Sequence, residues 1–282
     1  ASTVIIITGM IDDLVELSPR MKLLGIVIGA LIIYYVADIR MDLVTLPLIG
    51  EIQLGVFSLP ITLLWILAIT NAVNLIDGLD GLATGVSIIA LTTMGIIGFF
   101  FLTIDDVVVP IMIFTLVAAA VGFLPYNFFP ARIFLGDTGA LFLGFMISIM
   151  SLQGLKNATL ITVIIPVVIL GIPITDTVAA ILRRRLNRKP ISSADKMHLH
   201  HRLMTLGLTH RQTVLAIYCI AAMFSLIALM YPLSDFIGSI MLTIGLLLGL
   251  ELFMELIGLV SEERRPLLSR LGRFAKKLNR KR

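Results

Sequence analysis

Three short segments of the sequence set carboxylates beside glycines: Gly9-Met-Ile-Asp12-Asp13, Asn74-Leu-Ile-Asp77-Gly78-Leu-Asp80-Gly81 and Phe134-Leu-Gly136-Asp137-Thr-Gly139. In the second, Asn74, Asp77 and Asp80 are spaced by three, which on a helix places them on one face. Carboxylates that close repel unless a proton or a cation lies between them. The glycines leave room for a bulky anion to approach the backbone. Acids from several loops, completed by substrate phosphates, make the all-oxygen ligand set that Mg²⁺ takes, with Mn²⁺ as a possible substitute. Zinc is not expected, since no cysteine cluster and no His-Glu helical motif appear, although the histidine group is an alternative place for a metal. Taken alone, Asp77 and Asp80 also fit a plain pair of capping residues between two helices.

The four histidines lie together, in Asp195-Lys-Met-His198-Leu-His200-His201-Arg202 and at His210, close to Arg183, Arg184 and Arg185. Histidines packed among arginines suit an anion or a sugar, while the harder cation goes to the carboxylates. Lys22, after Ser18-Pro19-Arg20, opens an apolar run. An ammonium there either snorkels to the headgroups or captures a phosphate.

Composition dictates what must position these groups. Hydrophobic residues are 58% of the 282 and charged residues 14%, with a mean hydropathy of +1.04. A soluble domain of this size needs more polar surface than that. Apolar runs of about 20 residues cross a bilayer as helices. Eight complete spans are predicted at 21–39, 56–73, 83–103, 107–125, 139–155, 158–176, 213–231 and 236–257. The apolar stretch from Ser2 to Ile11 is half as long and lacks the basic start and cleavage site of a signal peptide. It is read as the end of a severed ninth span. The expected fold is all-α, a polytopic transmembrane helical bundle with eight complete spans and a partial first one. Cys219 sits in an apolar run and is expected to be a packing residue, and 40–55, with Pro47 and Gly50, is expected to form a short external hairpin.

Counting basic residues in alternate loops gives 20 on one side and only Arg40 and Lys156 on the other. The first side is cytoplasmic by the positive-inside rule, and it holds every acid segment and every histidine. The net charge of +4 then serves anionic lipid and phosphate. No nucleic acid is expected as partner, because aromatic and basic residues do not interleave for base stacking. Residues 1–260 are read as one integral-membrane domain and 261–282 as a basic amphipathic cytoplasmic tail. In that tail Leu267, Leu271, Phe274 and Leu278 recur at helical spacing between arginines and lysines, the pattern of a helix lying on an anionic membrane surface.

Four motifs in order, Gly9-Met-Ile-Asp12-Asp13 with Lys22, Asn71-Ala-Val-Asn74-Leu-Ile-Asp77-Gly-Leu-Asp80-Gly81, Phe134-Leu-Gly-Asp137-Thr-Gly139 and His198-Leu-His200-His201-Arg202-Leu, carry a resemblance. The chain resembles the polyprenyl-phosphate N-acetylhexosamine-1-phosphate transferases, glycosyltransferase family 4. Within that family it is similar to the bacterial undecaprenyl-phosphate N-acetylglucosamine-1-phosphate transferases that start teichoic acid and O-antigen synthesis. The resemblance implies a Mg²⁺-dependent reaction of UDP-N-acetylglucosamine with undecaprenyl phosphate in the bacterial inner membrane, releasing UMP at the cytoplasmic face. It implies Asp137, with Asp77 and Asp80, as the metal ligands, and Asp12, Asp13, Asp77 and Asp80 as the catalytic carboxylates. Lys22 is implied for the lipid phosphate, and Asn74, Phe134, His198, His200, His201 and Arg202 for the nucleotide sugar. It also implies an amino-terminal part with two further spans, which this sequence lacks.

The histidines run His198-Leu199-His200-His201-Arg202. The branch that transfers phospho-N-acetylmuramoyl-pentapeptide resembles three histidines in a row, and it is the alternative assignment. A secondary transporter is the alternative from another class, but its acids belong at mid-membrane within inverted repeats. A CDP-alcohol phosphotransferase would carry a continuous Asp-Gly-x-x-Ala-Arg helix, which is absent. Deleting residues 264–282 is expected to lower membrane-inserted protein, read by quantitative blotting of membranes. Turnover per inserted molecule should stay within about threefold, because no motif lies there; a selective loss of turnover would give the tail a place in the site.

Overall fold

A computed structural model describes residues 1–46, 50–101, 108–154, 160–186, 188 and 197–259. The tail at 261–282 and the Asp195–Lys196 pair lie outside the described residues. Eleven α-helices account for most of the described chain: α1 (Ser2–Val15), α2 (Pro19–Tyr35), α3 (Ser58–Ile76), α4 (Leu82–Phe100), α5 (Val108–Asn127), α6 (Gly136–Gly154), α7 (Leu160–Ile169), α8 (Gly171–Leu186), α9 (Leu199–Thr205), α10 (His210–Met230) and α11 (Phe236–Ile257). Between α2 and α3 two short antiparallel strands, β1 (Leu43–Leu46) and β2 (Gly50–Gln53), pair from Leu43 with Gln53 to Leu46 with Gly50. That is the hairpin expected at 40–55.

Five of the described helical stretches are long and apolar enough to cross a membrane: Gly55–Ile76, Leu82–Phe100, Val108–Asn127, His210–Leu233 and Phe236–Ile257. An all-α membrane fold is what these elements make. The other predicted spans differ from expectation. Helix α2 has 17 residues, and α6 carries Asp137 in its first turn. The span predicted at 158–176 is two helices, because α7 ends at Ile169 and α8 starts again at Gly171. Pro166 and Pro173 lie on either side of that break, and each removes a backbone donor from the helical ladder. Helix α8 then runs on to Leu186 and ends on Arg183, Arg184 and Arg185. Cys219, expected to pack inside, is exposed on α10.

Packing follows the rules for helices in lipid, where small residues let backbones approach closely. A Cβ on Gly144 of α6 would lie 2.9 Å from the Cα of Thr70, and one on Gly25 of α2 would lie 2.3 Å from Oγ1 of Thr8. Two buried clusters result. Ile5, Ile26, Ile66, Leu141 and Phe145 join α1, α2, α3 and α6. Val73, Leu91, Ile147, Ile169, Ile172 and Ile217 join α3, α4, α6, α7, α8 and α10. Two side-chain hydrogen bonds tie helices together inside: Trp65 Nε1–H donates to Ser151 Oγ (2.9 Å) and Thr84 Oγ1–H to Asn127 Oδ1 (2.7 Å).

The tightest approach to a neighbouring backbone leads to the acid segments. A Cβ on Gly9 of α1 would stand 2.4 Å from Thr138 Cα and 2.8 Å from Thr138 N. These are backbone atoms, so the first turn of α6 would have to move. Gly9→Ala is therefore expected to destabilise the protein by about 1–3 kcal/mol and to separate α1 from α6. Thermal unfolding of the detergent-solubilised variant checks this, and an unchanged midpoint would contradict the crossing.

Candidate active site

The carboxylate segments meet at one end of the bundle, because chain direction alternates: α1 ends there, α2 begins, α3 ends, α4 begins, and α6 begins. Lys22 stands at the centre. Its Nζ lies 2.6 Å from Asp12 Oδ2 and 3.2 Å from Asp137 Oδ1, with the Lys22 side chain 20% exposed. Asn74, in the last turn of α3, donates from Nδ2 to Asp137 Oδ1. Asp12 is buried, and its Oδ1 accepts the Leu17 backbone N–H at 2.8 Å. Burial raises Asp12, but hydrogen bonds with Asp137 and Lys22, the Lys22 charge and the Leu17 N–H outweigh it and hold Asp12 below the usual carboxylate range. Asp137 moves the other way, raised by burial and by its hydrogen bond to Asp12, against the lowering effects of Asn74 and Lys22.

Asp13 has a different task from its neighbour. Its carboxylate accepts the backbone N–H groups of Asp137 (2.8 Å) and Thr138 (3.1 Å) and the Thr138 hydroxyl (2.5 Å). These are orphan donors of the first turn of α6, satisfied by a residue from another helix. They are thereby taken from any phosphate. Asp13 was expected among the catalytic carboxylates; its observed contacts are those of a cap.

Asn74, Asp77 and Asp80 do not share a helix face as their spacing suggested. Helix α3 stops at Ile76, and 77–81 is a turn closed by Gly81 at φ +80° before α4 begins. Glycine reaches that left-handed conformation without cost. Tyr218 Oη donates to the Gly81 carbonyl (2.5 Å), and Asp80 Oδ2 accepts the Ala131 N–H (3.0 Å). Asp77 has no such relief. Burial first, then the charges of Asp137, Asp13 and Asp80, push it up to about 7.

The donors fit a hard divalent cation only in part. Oxygen ligands are present on Asp77, Asp80 and Asp137, and the repulsion stored on Asp77 is what a divalent cation relieves. Yet among the described residues no three His, Cys, Asp or Glu groups form a ready-made metal cage. One or two carboxylates would leave the remaining positions of a hard divalent ion to water and phosphate oxygens.

The histidines arrive from α9 and the start of α10. His200 is buried and packs on the acid turn, so close that a Cβ on Gly78 would lie 2.5 Å from its Cε1 and Nε2. Burial, more than the neighbouring His201, lowers His200 to about 4, so it is a neutral ring at pH 7. His198 stacks parallel to it at 6.0 Å, and the exposed His201 tilts over it at 4.2 Å. Arg202, expected at the nucleotide sugar, turns the other way, with its Nε donating to the Ile257 carbonyl at the end of α11 (2.7 Å). Arg183 of α8 does the same at Leu259 (2.5 Å). Phe134 is 75% exposed in the segment before α6, free to present its ring face. The structure thus gathers Asp12, Asp13, Lys22, Asn74, Asp77, Asp80, Asp137, His198 and His200 at one site. It also brings in groups to which sequence reading gave no role. Asn127 holds the Phe134 segment through the Ile133 carbonyl (3.1 Å), and Asp176 holds His198. An acid within an apolar span is a signal in its own right, and Asp176 is one.

The sequence profile of Glycosyl transferase family 4 matches residues 1–155. A probable undecaprenyl-phosphate N-acetylglucosaminyl 1-phosphate transferase of Bacillus subtilis is 44% identical over 97% of this chain and 76% of its own length. A decaprenyl-phosphate N-acetylglucosaminephosphotransferase of Mycolicibacterium smegmatis is 34% identical over 77% of this chain and 58% of its own length. A phospho-N-acetylmuramoyl-pentapeptide-transferase of Clostridium perfringens is 31% identical over 78% of this chain and 69% of its own length.

Asp77 makes metal-free stability depend on pH. Its folded value near 7 lies above the unfolded 3.8, so between about pH 4 and 7 the folded state keeps a proton that the unfolded chain has lost. Stability then falls as pH rises through that window and levels off above it. Asp77→Asn removes this contribution and should raise the thermal midpoint in a chelator at pH 8, with the gain shrinking toward pH 4. An equal gain at both ends would show that Asp77 is not the titrating group.

Proposed function

The chain belongs to glycosyl transferase family 4, and from that premise we propose that it transfers N-acetylglucosamine 1-phosphate from UDP-N-acetylglucosamine to undecaprenyl phosphate. The observation that carries this reading is the Asp12–Lys22–Asp137 contact beside the Asp77–Asp80 turn. It combines a cation for a lipid phosphate with uncompensated carboxylates for a metal-bound diphosphate. The names of the Bacillus and Mycolicibacterium relatives support the sugar and the polyprenyl acceptor. The product would initiate a cell-wall glycopolymer of the teichoic acid or O-antigen type.

An oxygen of the lipid phosphate attacks the β-phosphorus of the sugar nucleotide. The bond from that phosphorus to the α,β-bridging oxygen breaks, and UMP leaves with the bridging oxygen. A phosphate monoester is mostly a dianion at pH 7, so a general base would add little, and the residues act by placement and charge. Lys22, held by Asp12, receives the lipid phosphate. Asp13 fixes the start of α6 and with it Asp137. Asp77, Asp80 and Asp137 would hold Mg²⁺, which when bound neutralises phosphoryl oxygens. Asn74 orients Asp137, Phe134 offers a face for uracil, and His198, His200 and His201 line the diphosphate and sugar.

Helix α2, helix α6 and the α7–α8 pair complete eight spans in this reading, within residues 1–260. The bundle lies in a bacterial cell membrane with its site and its basic 261–282 segment on the cytoplasmic side. The basic-residue asymmetry supports that orientation.

Purified protein, radiolabelled UDP-sugar and undecaprenyl phosphate in detergent test the proposal through lipid-extractable label. Label from UDP-N-acetylglucosamine is expected in the presence of Mg²⁺. No label is expected from UDP-N-acetylmuramoyl-pentapeptide, the donor suggested by the Clostridium relative. Asp137→Asn should cut the signal by about 100-fold or more with folding intact. Preferred use of the muramoyl donor would move the protein to the other branch, and normal Mg²⁺-dependent turnover by the variant would remove Asp137 from the metal.

A further inference from the structure

Asp176 lies in α8 with its side chain 3% exposed, and nothing in the site described above uses its charge directly. Both its oxygens are engaged with the start of α9. Oδ2 is 2.9 Å from His198 Nδ1, and Oδ1 accepts the Leu199 backbone N–H at 2.9 Å. A gap of about 10 Å³ beside it, walled by Phe224, Leu250, Phe253 and Leu259, is at the limit of what holds one water. A carboxylate so placed depends on its two protein partners, because leaving a buried charge unpaired is costly.

The pairing has a consequence at the other side of the ring. An ionised carboxylate only accepts, so Nδ1 of His198 carries the hydrogen and Nε2 is left as the ring's remaining polar atom. The His198 side chain is 9% exposed, and its ring is parallel to that of His200, which touches the Asp77–Asp80 turn at Gly78. A partner that fixes one ring nitrogen sets which tautomer the other presents.

We propose that Asp176 is a positioning residue for the transfer reaction: it locks His198 with Nδ1–H turned inward and Nε2 toward the diphosphate, and it docks the start of α9 on the carboxylate turn. The role in turnover rests on the function proposed above; the ring state does not. Asp176→Asn separates charge from shape. The amide oxygen keeps the Leu199 N–H, so the amide NH₂ faces Nδ1, which must then accept. His198 is forced into the Nε2–H form.

The four histidines of the chain make ¹⁵N-histidine NMR of the detergent-solubilised protein a direct readout. In wild type one ring, lost in His198→Gln, should show the Nδ1–H pattern, and in Asp176→Asn that ring should invert. Turnover should fall about 10–100-fold with KM for the nucleotide sugar changed less than threefold. Asp176→Glu, which keeps the carboxylate, should keep Nδ1–H and recover most of the rate. In a His198→Gln background Asp176→Asn should cost little more. An uninverted ring, an inverted ring with full turnover, or a further large loss in the His198→Gln background would each overturn the proposal. If Asp176→Asn does not fold, an Asp176→Glu protein that lacks the Nδ1–H signature overturns it, and one that keeps both signature and rate supports it. Absence of transfer by the wild type would count against the function alone, since the ring state is read without substrate.

Discussion

One ammonium organises this end of the molecule. Lys22 ties α2 to Asp12 on α1 and Asp137 on α6, and Asn74 adds α3 through the same Asp137 oxygen. Four helices converge on a few ångströms because their carboxylates cannot share that space without a cation. The glycine crossings serve the same end, since Gly9 lets α1 reach the first turn of α6. Remove the charge at position 22 and Asp12 and Asp137 lose the cation that bridges them.

Compensation at the site is incomplete. Asp12 and Asp13 have their oxygens occupied by Lys22 and backbone donors, and Asp80 takes the Ala131 N–H. Asp77 is left to absorb the repulsion of its neighbours. An acid left with unrelieved repulsion is unusual for a purely structural role. Around it the remaining polar side chains are used as struts, with Tyr218 on the Gly81 carbonyl, Asn127 on the Phe134 segment and Asp176 on His198.

Much of this was legible in the residues. Glycine-flanked acids, the histidine group and the alternation of basic loops were enough to place Asp12, Lys22, Asp77, Asp137 and His200 at one end, because each signal is local and hydropathy sets chain direction. Three features were not. Spacing by three implied a helix face for Asn74, Asp77 and Asp80, but α3 ends at Ile76 and leaves Asp77 and Asp80 in the turn that follows. The run at 158–176 reads as one span, although its two prolines flank a break. Arg202 sits in a histidine motif, yet its guanidinium is taken by carbonyls at the end of α11, 55 residues away. Spacing reports local geometry; it does not report which distant donor or acceptor competes for a side chain.

The cap that Asp13 places on α6 spans 124 and 125 residues of sequence. Ribosomes deliver the chain at roughly 5–20 residues per second, so α1 waits on the order of ten seconds for the helix whose amides it must receive. During that interval the Leu17 N–H and Lys22, ten positions downstream, are the partners of Asp12 that are already made. The order of synthesis therefore makes the Asp12–Lys22 pair the first part of the site to exist and the α6 cap a late one. Biogenesis of this protein passes through a stage in which α1 and α2 hold the Asp12–Lys22 pair before α6 is made.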